Sequence, residues 1–395
     1  MLNYFYTGTF VSAQTNVLPV IQSLELFDSL FIPYPFINER YGHTQFNWAG
    51  GMEHQTNTFL FNFHHELMAH ELAHQWVGDM ITCGNWHEIW LNEGFATYWT
   101  GLTYNYLFNG YYWPIWKRMQ IDNIISLPDG SVYCSDTTSV SRIFDGRLSY
   151  QKGAMLLHML RWVIGDSAFY TGMKNYLTDA NLAFGYACSD DFITHMEAVS
   201  DTSLTEFFND WLYGEGHPIY SIACIISEPD NDMSLTINQT QSHNSVSFFE
   251  MPVPLEFKDA THDTIVVFGN SFSGQQYSVN VGFKPDSMKF DPDMWLVAII
   301  DTVLIIQPLP LDPPAVSSII AFPNPVTDFL NIDFNGIKPQ NIEIFDVRGV
   351  LVNSLVSADT SGTGVKINFS GIAQGIYCLK VILGNETFIR KIIKI

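Results

Sequence analysis

Hydrophobic positions recur at helical spacing through most of residues 1–215. The stretches SYQKGAMLLHMLRWVIG (149–165) and DDFITHMEAVS (190–200) place apolar side chains every three or four residues, which is typical of helices packed on a core. Several short strand-like stretches precede Glu53. This part of the chain is therefore predicted to be mainly helical, with a little β-structure near its start.

The pattern changes after GHP (216–218), where short β-rich runs replace the long helical ones. The runs are SIACIIS, MSLTINQT, VPLEFKD, DTIVVFGNS, QQYSVNVGF and WLVAIID, and they are separated by Asp, Asn, Gly and Pro. Short strands at this spacing are typical of a β-sandwich. Residues 216–306 are therefore predicted to form a small β-sandwich domain.

A Pro-rich stretch, PLPLDPPAVSS (308–318), predicts a linker over residues 307–318. Residues 319–395 after it contain further β-rich runs. These are FLNIDF, NIEIFDV, VLVNSLV, VKINFSG, GIYCLKVIL and TFIRKIIKI. The fold class predicted for the whole chain is α+β and multidomain: a mainly helical domain at residues 1–215, followed by two small all-β sandwich domains.

Composition limits the classes of partner and of structural site that the chain is expected to have. Its 395 residues carry 40 acidic and 18 basic side chains, a formal net charge of −22, which argues against nucleic acid or an anionic membrane as a partner. No apolar run is long enough for a transmembrane segment. Five scattered cysteines without a CxxC pair indicate neither a disulfide framework nor a thiolate zinc site, and leave one isolated disulfide open.

The stretch HHELMAHELAHQW (64–76) predicts a metal site. Zinc bound through a helix needs two histidines four residues apart, because such positions lie about 40° apart on one face. Only His70 and His74 have this spacing with a glutamate after the first, so they are the predicted ligands and Glu71 the predicted base. His64 and His65 lie about 120° and 140° away around the helix and are assigned to its polar beginning.

A bare HExxH motif also fits two buried histidines beside a surface glutamate. A third ligand at a suitable position is therefore needed to indicate a catalytic metal site. WLNEGFATYW (90–99), interpreted as a second amphipathic helix, supplies Glu93 nineteen residues after His74. Two histidines and one carboxylate leave the fourth position of zinc open for water. Glu88 is the competing ligand; it is placed in the turn before the helix, where its alternative role is a solvated loop carboxylate.

Four blocks in this order resemble the zinc aminopeptidases of the aminopeptidase N and leukotriene hydrolase type, a gluzincin family. They are GGMEHQT (50–56), HELAHQWVGDMIT (70–82), WLNEGFATY (90–98) and SYQKGAMLLHMLR (149–161). The resemblance covers roughly residues 17–305 and implies a thermolysin-like catalytic domain with one zinc ion per chain. His54 departs from the pattern, because many family members have Asn there.

The resemblance also implies roles for residues that are unremarkable by themselves. Tyr150 matches the catalytic tyrosine of the family, which could donate to the oxyanion, although a core aromatic is its alternative role. Glu53 matches the glutamate that binds the free α-amino group of the substrate. Gly50, Gly51 and Met52 match the extended edge beside the bound peptide. Peptides with a free N-terminus are the implied substrates.

The front of the chain departs from the family. Members carry a large N-terminal β-domain before the catalytic one, whereas here catalytic-type sequence starts almost at Met1. The first basic residue is Arg40, so MLNYFYTGTFVSAQ lacks the positive region of a signal peptide. Three interpretations stay open for this departure: a fragment, a mis-called start or a reduced homologue. The long C-terminal helical domain of the family has no counterpart either.

The tail resembles the C-terminal sorting domain of proteins exported by the type IX secretion system of Bacteroidetes. AFPNPVTDFLNIDF, IEIFDVRGVLV, GIAQGIYCLKV and FIRKIIKI carry the resemblance in the expected order. It implies the type IX machinery as a partner and a secreted or cell-surface location. An ordinary immunoglobulin-like adhesion module is the alternative.

These observations together predict a secreted zinc metallo-aminopeptidase. One rival is a zinc endopeptidase whose open site does not select a free amine. The other is a catalytically inactive, surface-displayed binding protein. The presence of His70, Glu71, His74, Glu93 and Tyr150 argues against the second rival, since a decayed site usually loses a member.

Overall fold

The computed structural model of the protein describes residues 1–227, 231–306, 319–334, 339–356, 364–383 and 386–395. The predicted linker at 307–318 lies outside the described residues. The chain forms two compact units, Met1–Pro308 and Leu309–Ile395. Helices and strands are both present, which confirms the mixed α+β class.

Nine α-helices are found in the described part of the first unit. They are α1 Phe10–Asn16, α2 Leu18–Leu30, α3 His65–Ala73, α4 Trp90–Tyr106, α5 Trp113–Ile124, α6 Val140–Ile143, α7 Gly153–Thr178, α8 Ser189–Ser200 and α9 Thr205–Phe208. Short 3₁₀ or π turns lie at Trp86–Glu88, Phe108–Gly110, Gly146–Lys152 and Asn209–Tyr213. None of the described helices combines the length and the apolar character that crossing a membrane requires.

A small sheet flanks the helices near the start of the chain. Its strands are β1 Leu2–Tyr4, β2 Gly42–Gln45, β3 Gly51–Met52 and β4 Asn57–Leu60, in the order β1-β2-β4-β3. Strands β1, β2 and β4 run parallel to one another. Strand β3 pairs antiparallel with β4 through Gly51↔Leu60 and Met52↔Phe59. The strand-like stretches predicted before Glu53 are thereby confirmed. A two-stranded parallel sheet joins β5 Ile81–Cys83 to β6 Gly185–Ala187.

Helix α4 is the centre of the helical part, packed against α3, α5 and α7. The interpretation of this segment as an amphipathic helix is wrong. Of Trp90–Thr103, every residue except Thr97 is buried. The stretch WLNEGFATYWTG combines large aromatic and small side chains, and neighbouring elements pack on all sides of the helix.

Two glycines allow α4 to cross the beginning of α7 in backbone contact. A Cβ on Gly94 would lie 3.0 Å from the Gly153 backbone, and a Cβ on Gly153 would lie 3.1 Å from the Gly94 Cα. Larger residues would force the two segments apart. Since Glu93 precedes one glycine and Tyr150 lies one turn before the other, this crossing sets their approach.

Residues 218–306 supply two further sheets to the first unit. The strands are β7 Pro218–Ser227, β8 Asp232–Gln241, β9 Met251–Lys258, β10 Asp263–Asn270, β11 Gln275–Val279, β12 Ser287–Phe290 and β13 Ile299–Ile306. They form a four-stranded sheet, β11-β8-β7-β13, and a three-stranded sheet, β10-β9-β12. Each of the first five predicted runs contains a strand. The sixth run, at 295–301, mostly precedes β13, and β12 was not predicted.

One hydrophobic core joins these sheets to the helices. The rings of His158 and Trp295 stack with their centroids 4.5 Å apart. The indole Nε1 of Trp162 donates to the Pro252 carbonyl at 2.8 Å. Residues 216–306 therefore pack as part of the same unit as the helices.

The second unit is all β in its described residues. Its strands are β14 Ile320–Phe322, β15 Phe329–Asp333, β16 Asn341–Asp346, β17 Leu351–Val356, β18 Gly364–Asn368, β19 Gly375–Leu383 and β20 Glu386–Lys394. They form two sheets, β14-β15-β18 and β17-β16-β19-β20, around a core of their own. All six predicted runs are confirmed as strands, and β14 is additional.

Candidate metal centre

Helices α3 and α4 bring three potential ligands together. His70 and His74 lie one turn apart at the end of α3, and Glu93 lies in the first turn of α4. The Glu93 Oε2 atom is 3.2 Å from His70 Nε2 and 3.3 Å from His74 Nε2, and the two Nε2 atoms are 3.1 Å apart. Tetrahedral zinc with bonds of about 2.0–2.1 Å needs ligand atoms about 3.3 Å apart. The three side chains therefore fit a zinc ion, and they form a group that could bind a metal.

The hydrogen bonding of His74 favours this arrangement. Its Nδ1 lies 3.0 Å from the Val77 carbonyl, so an N–H on Nδ1 donates there and Nε2 is the ring atom left to bind a metal. Gly78 follows directly, and a Cβ at that position would lie 3.1 Å from the same Nδ1 atom. The local backbone thus fixes the tautomer of the histidine.

The charge of the centre suits a cation. Burial would raise the pKa of Glu93, but the His74 and His70 imidazoles outweigh it and hold that pKa well below its usual range. Burial would lower the pKa of His74, but Glu93, with help from Glu53 and Glu71, raises it to about 10. Without a metal, the neighbouring carboxylates favour a protonated His74 imidazole. A bound divalent cation would compensate the same negative charge.

Glu71 lies beside the three ligands on α3. It is 5% exposed, and its Oε2 atom has no hydrogen-bond partner among the described residues. Burial, partly offset by His70 and His74, raises the pKa of this carboxyl to about 7. A Cβ on Gly51 would lie 2.4 Å from Glu71 Oε1, so only glycine lets strand β3 pass this close to the carboxylate.

Tyr150 closes the other side of the centre from the π turn at Gly146–Lys152. Its ring stacks on that of His70, with centroids 5.8 Å apart and planes 15° apart. Burial, with the carboxylates of Glu93, Glu71 and Glu53, raises the pKa of the phenol above its ordinary value. The hydroxyl therefore keeps its proton and can donate a hydrogen bond.

The segment at residues 50–53 forms a short edge over the same centre. Gly50 has φ = +100°, a conformation that favours glycine, and Met52 is exposed. The buried side chain of Gln75 holds the segment, since its Nε2 donates to the Glu53 carbonyl at 3.2 Å and its Oε1 accepts from Thr56 N at 2.7 Å. Sequence reasoning missed Gln75; its position directly after His74 was the available signal.

Three other side chains named from the sequence lie outside the centre. His64 is the N-cap residue of α3, and the Nε2 of His65 lies 2.8 Å from Thr103 Oγ1. Glu88 lies in the turn before α4, as predicted, but it is 8% exposed and accepts hydrogen bonds from the Ser189 amide and hydroxyl. Its interpretation as a solvated loop carboxylate is wrong, because α8 covers it.

A cleft of about 1340 Å³ opens over the centre. The predicted ligands, Glu71, Tyr150 and the edge at residues 50–53 all line it. All five cysteines are unpaired thiols, and one of them, Cys83, also lines the cleft.

Comparison with known proteins agrees with this geometry. Residues 52–211 match the family model described as the peptidase family M1 domain. Aminopeptidase N of Lactobacillus delbrueckii subsp. lactis is 33% identical over 162 residues, which are 39% of this chain and 19% of that protein. Aminopeptidase A of Gloydius brevicauda is 30% identical over 215 residues, which are 52% of this chain and 22% of that protein.

A yeast protein extends the comparison. Alanine/arginine aminopeptidase of Saccharomyces cerevisiae is 29% identical over 209 residues, which are 50% of this chain and 23% of that protein. The chain thus spans about a fifth of the length of the curated relatives it matches. Residues 320–395 match the family model described as the secretion system C-terminal sorting domain. The chain therefore carries a peptidase family M1 domain at residues 52–211, joined to a secretion system C-terminal sorting domain at its end.

Proposed function

We propose that the protein is an exported zinc aminopeptidase, which hydrolyses the first peptide bond of peptides with a free N-terminus. The observation that carries this proposal is the convergence of His70, His74 and Glu93 beside the buried carboxylate of Glu71. The relatives named as aminopeptidases over the same residues support it.

Zinc is the metal that the donor set favours, because two imidazoles and one carboxylate leave a fourth position for water. When bound, zinc would polarise the scissile carbonyl and lower the pKa of that water. The spacing of 3.1–3.3 Å between the three donor atoms would let all three side chains hold one ion.

Two protein groups would carry out the proton transfer and the charge stabilisation. Glu71 takes the proton of the attacking water and passes it to the leaving amine, since its Oε2 is buried and without a partner among the described residues. The Tyr150 hydroxyl donates a hydrogen bond to the carbonyl oxygen as negative charge develops on it. The stacking of Tyr150 on His70 holds the phenol at the centre.

Selection of the N-terminus would fall to the edge at residues 50–53. Glu53 lines the cleft with its carboxylate available to pair with a cationic α-amino group. The backbone of Gly50, Gly51 and Met52 would lie alongside the substrate chain as an additional strand. Because Glu53, Gly51 and Glu71 line the same cleft, an amine bound at Glu53 would bring the first peptide bond toward the centre.

Release of the N-terminal residue from an unblocked peptide tests the proposal. We expect the purified protein to liberate that residue, to lose activity with a zinc chelator and to regain it on adding zinc. Activity that survives complete removal of metal would contradict it. Cleavage inside the peptide would favour the endopeptidase, and binding without cleavage the inactive binding protein.

The arrangement of domains belongs to the same proposal. Helices over residues 1–215 around the α3 and α4 pair suit a thermolysin-like catalytic domain, and the paired sheets of residues 216–306 and 319–395 suit β-sandwiches. The sorting domain points to secretion or display at the cell surface.

Deletion of residues 319–395 in a host with type IX secretion tests the role of the tail. We expect the truncated protein to stay inside the cells with its peptidase activity intact, because the first unit has a hydrophobic core of its own. Activity in the lysate separates failed export from failed folding. Unchanged export of the truncated protein would favour an adhesion module.

A further inference from the structure

The cleft continues past the metal centre toward the beginning of α3. Glu53 is held from the far end of this helix, through Gln75. Glu66 and Leu67 lie at its first turn, and Glu66 precedes His70 by one turn, about 6 Å along the axis. In the proposed enzyme, a peptide whose amine pairs with Glu53 would pass the centre and reach Glu66 and Leu67 with the residue that follows the scissile bond.

This end of the cleft is a polar chamber, which we define by Glu66, Leu67, Thr97, Thr100 and Gln120. Thr97 and Thr100 follow Glu93 by four and seven residues, so they continue the same face of α4. Gln120 comes from α5, is only 4% exposed and lines the chamber. Its Oε1 atom has no hydrogen-bond partner in the described residues. A buried acceptor left without a donor is costly, and a ligand that donates would relieve it.

The charge of the chamber is also unbalanced. Four carboxylates line the cleft, at Glu53, Glu66, Glu71 and Glu93, and its described lining contains no lysine or arginine. Three of these acids have roles at the amine or the centre. Glu66 has no ion-pair partner in the part of the chain that the structure describes, and it is exposed to the cleft.

We propose that the polar chamber binds the side chain after the scissile bond and selects a long cationic one, arginine or lysine. Glu66 supplies the opposite charge, the Gln120 amide oxygen accepts a hydrogen bond, and Leu67 packs on the methylene stem. This inference rests on the proposed aminopeptidase function, and it names the substrate class: peptides with a basic second residue. The net charge of −22 adds a field that attracts such peptides.

Matched peptides test the proposal in the full-length chain. We expect kcat/KM for Ala-Arg-Ala to exceed that for Ala-Glu-Ala by about tenfold, with Ala-Leu-Ala between them. Glu66→Gln should reduce the ratio to about threefold or less, whereas Glu25→Gln, an exposed glutamate of α2 outside the cleft, should leave it unchanged. Gln120→Leu should reduce the preference for arginine over leucine without changing the net charge.

A binding measurement separates this proposal from the proposed function. The zinc-loaded Glu71→Gln variant should bind Ala-Arg-Ala about tenfold more tightly than Ala-Glu-Ala by calorimetry, and Glu66→Gln in that background should remove most of the difference. Hydrolysis of all three peptides at equal kcat/KM would overturn the chamber and leave the aminopeptidase intact. Absence of hydrolysis together with the expected order of affinities would contradict the aminopeptidase function and support the selectivity of the polar chamber. Equal affinities would overturn the chamber whatever the activity.

Discussion

The metal centre and the edge at residues 50–53 share one cleft but are built in different ways. The centre is carried by two helices, and His74, Glu71 and Glu93 are each at most 6% exposed. The edge is a two-residue strand with an exposed Met52; it pairs with β4 and is also held by the Gln75 side chain. Helix packing therefore pre-organises the proposed catalytic groups, whereas the proposed selection of substrate would depend on a short and partly exposed segment. Substitutions in the centre should stop the reaction, and substitutions in the edge should change which peptides react.

Removal of a ligand should have the largest effect. His74→Ala or Glu93→Ala leaves the remaining donors too few for tight binding, so we expect most of the zinc and nearly all activity to be lost. His64→Ala and His65→Ala are matched controls, because these side chains lie outside the group of ligands. Metal analysis by emission spectroscopy decides the matter. Full zinc in both ligand variants would contradict the assignment.

Glu71→Gln should separate chemistry from metal binding. The amide keeps the shape of the side chain but cannot take a proton, so zinc content should be unchanged while kcat falls by about 10³–10⁴-fold. Steady-state kinetics beside metal analysis measure both. A variant that retains zinc and more than about a tenth of the parent kcat would exclude Glu71 as the base.

Tyr150→Phe should have a smaller effect on the same step. Loss of a donor that acts as charge develops typically lowers kcat by about 10²-fold or more, and KM should change little. Tyr186→Phe, an exposed tyrosine outside the cleft, is the matched control. Equal kcat in the Tyr150→Phe variant and the parent would reduce Tyr150 to a packing role.

The helical spacing of HELAH predicted which histidines meet, because residues four apart share a helix face wherever the helix lies. In the structure the Glu93 carboxylate lies within 3.3 Å of both imidazoles. The burial of α4 on all sides could not be predicted in this way. Hydrophobic periodicity indicates which residues share a helix face, but not how many other elements pack around the helix. Glu88 was misjudged for the same reason: its partner, Ser189, is 101 residues away in sequence.

Strands that alternate strongly were predicted well, as the six runs of the tail show. The run at 295–301 was not, because Trp295 and its neighbours pack against His158 as an irregular segment before β13 begins at Ile299. The role of Gln75 depends on a loop folding over α3, which no local pattern encodes. The sequence therefore predicts the groups that act within one helix better than those that join distant segments.

The smallest effect is expected at the edge. Glu53→Ala removes one partner of a charged hydrogen bond, worth about 2 kcal/mol, so kcat/KM for peptides with a free amine should fall about 30-fold. Peptides without that amine should be hardly affected. Glu39→Ala, an acid outside the cleft lining, is the control for the loss of one negative charge.

Mass spectrometry of one peptide, digested in its free and N-acetylated forms, tests the central claim most directly. If the cationic amine at Glu53 places the first bond at the centre, the free peptide should lose its N-terminal residue and the acetylated one should remain whole. Internal cuts in the acetylated peptide, at a rate comparable to cleavage of the free form, would contradict the aminopeptidase and leave a zinc endopeptidase.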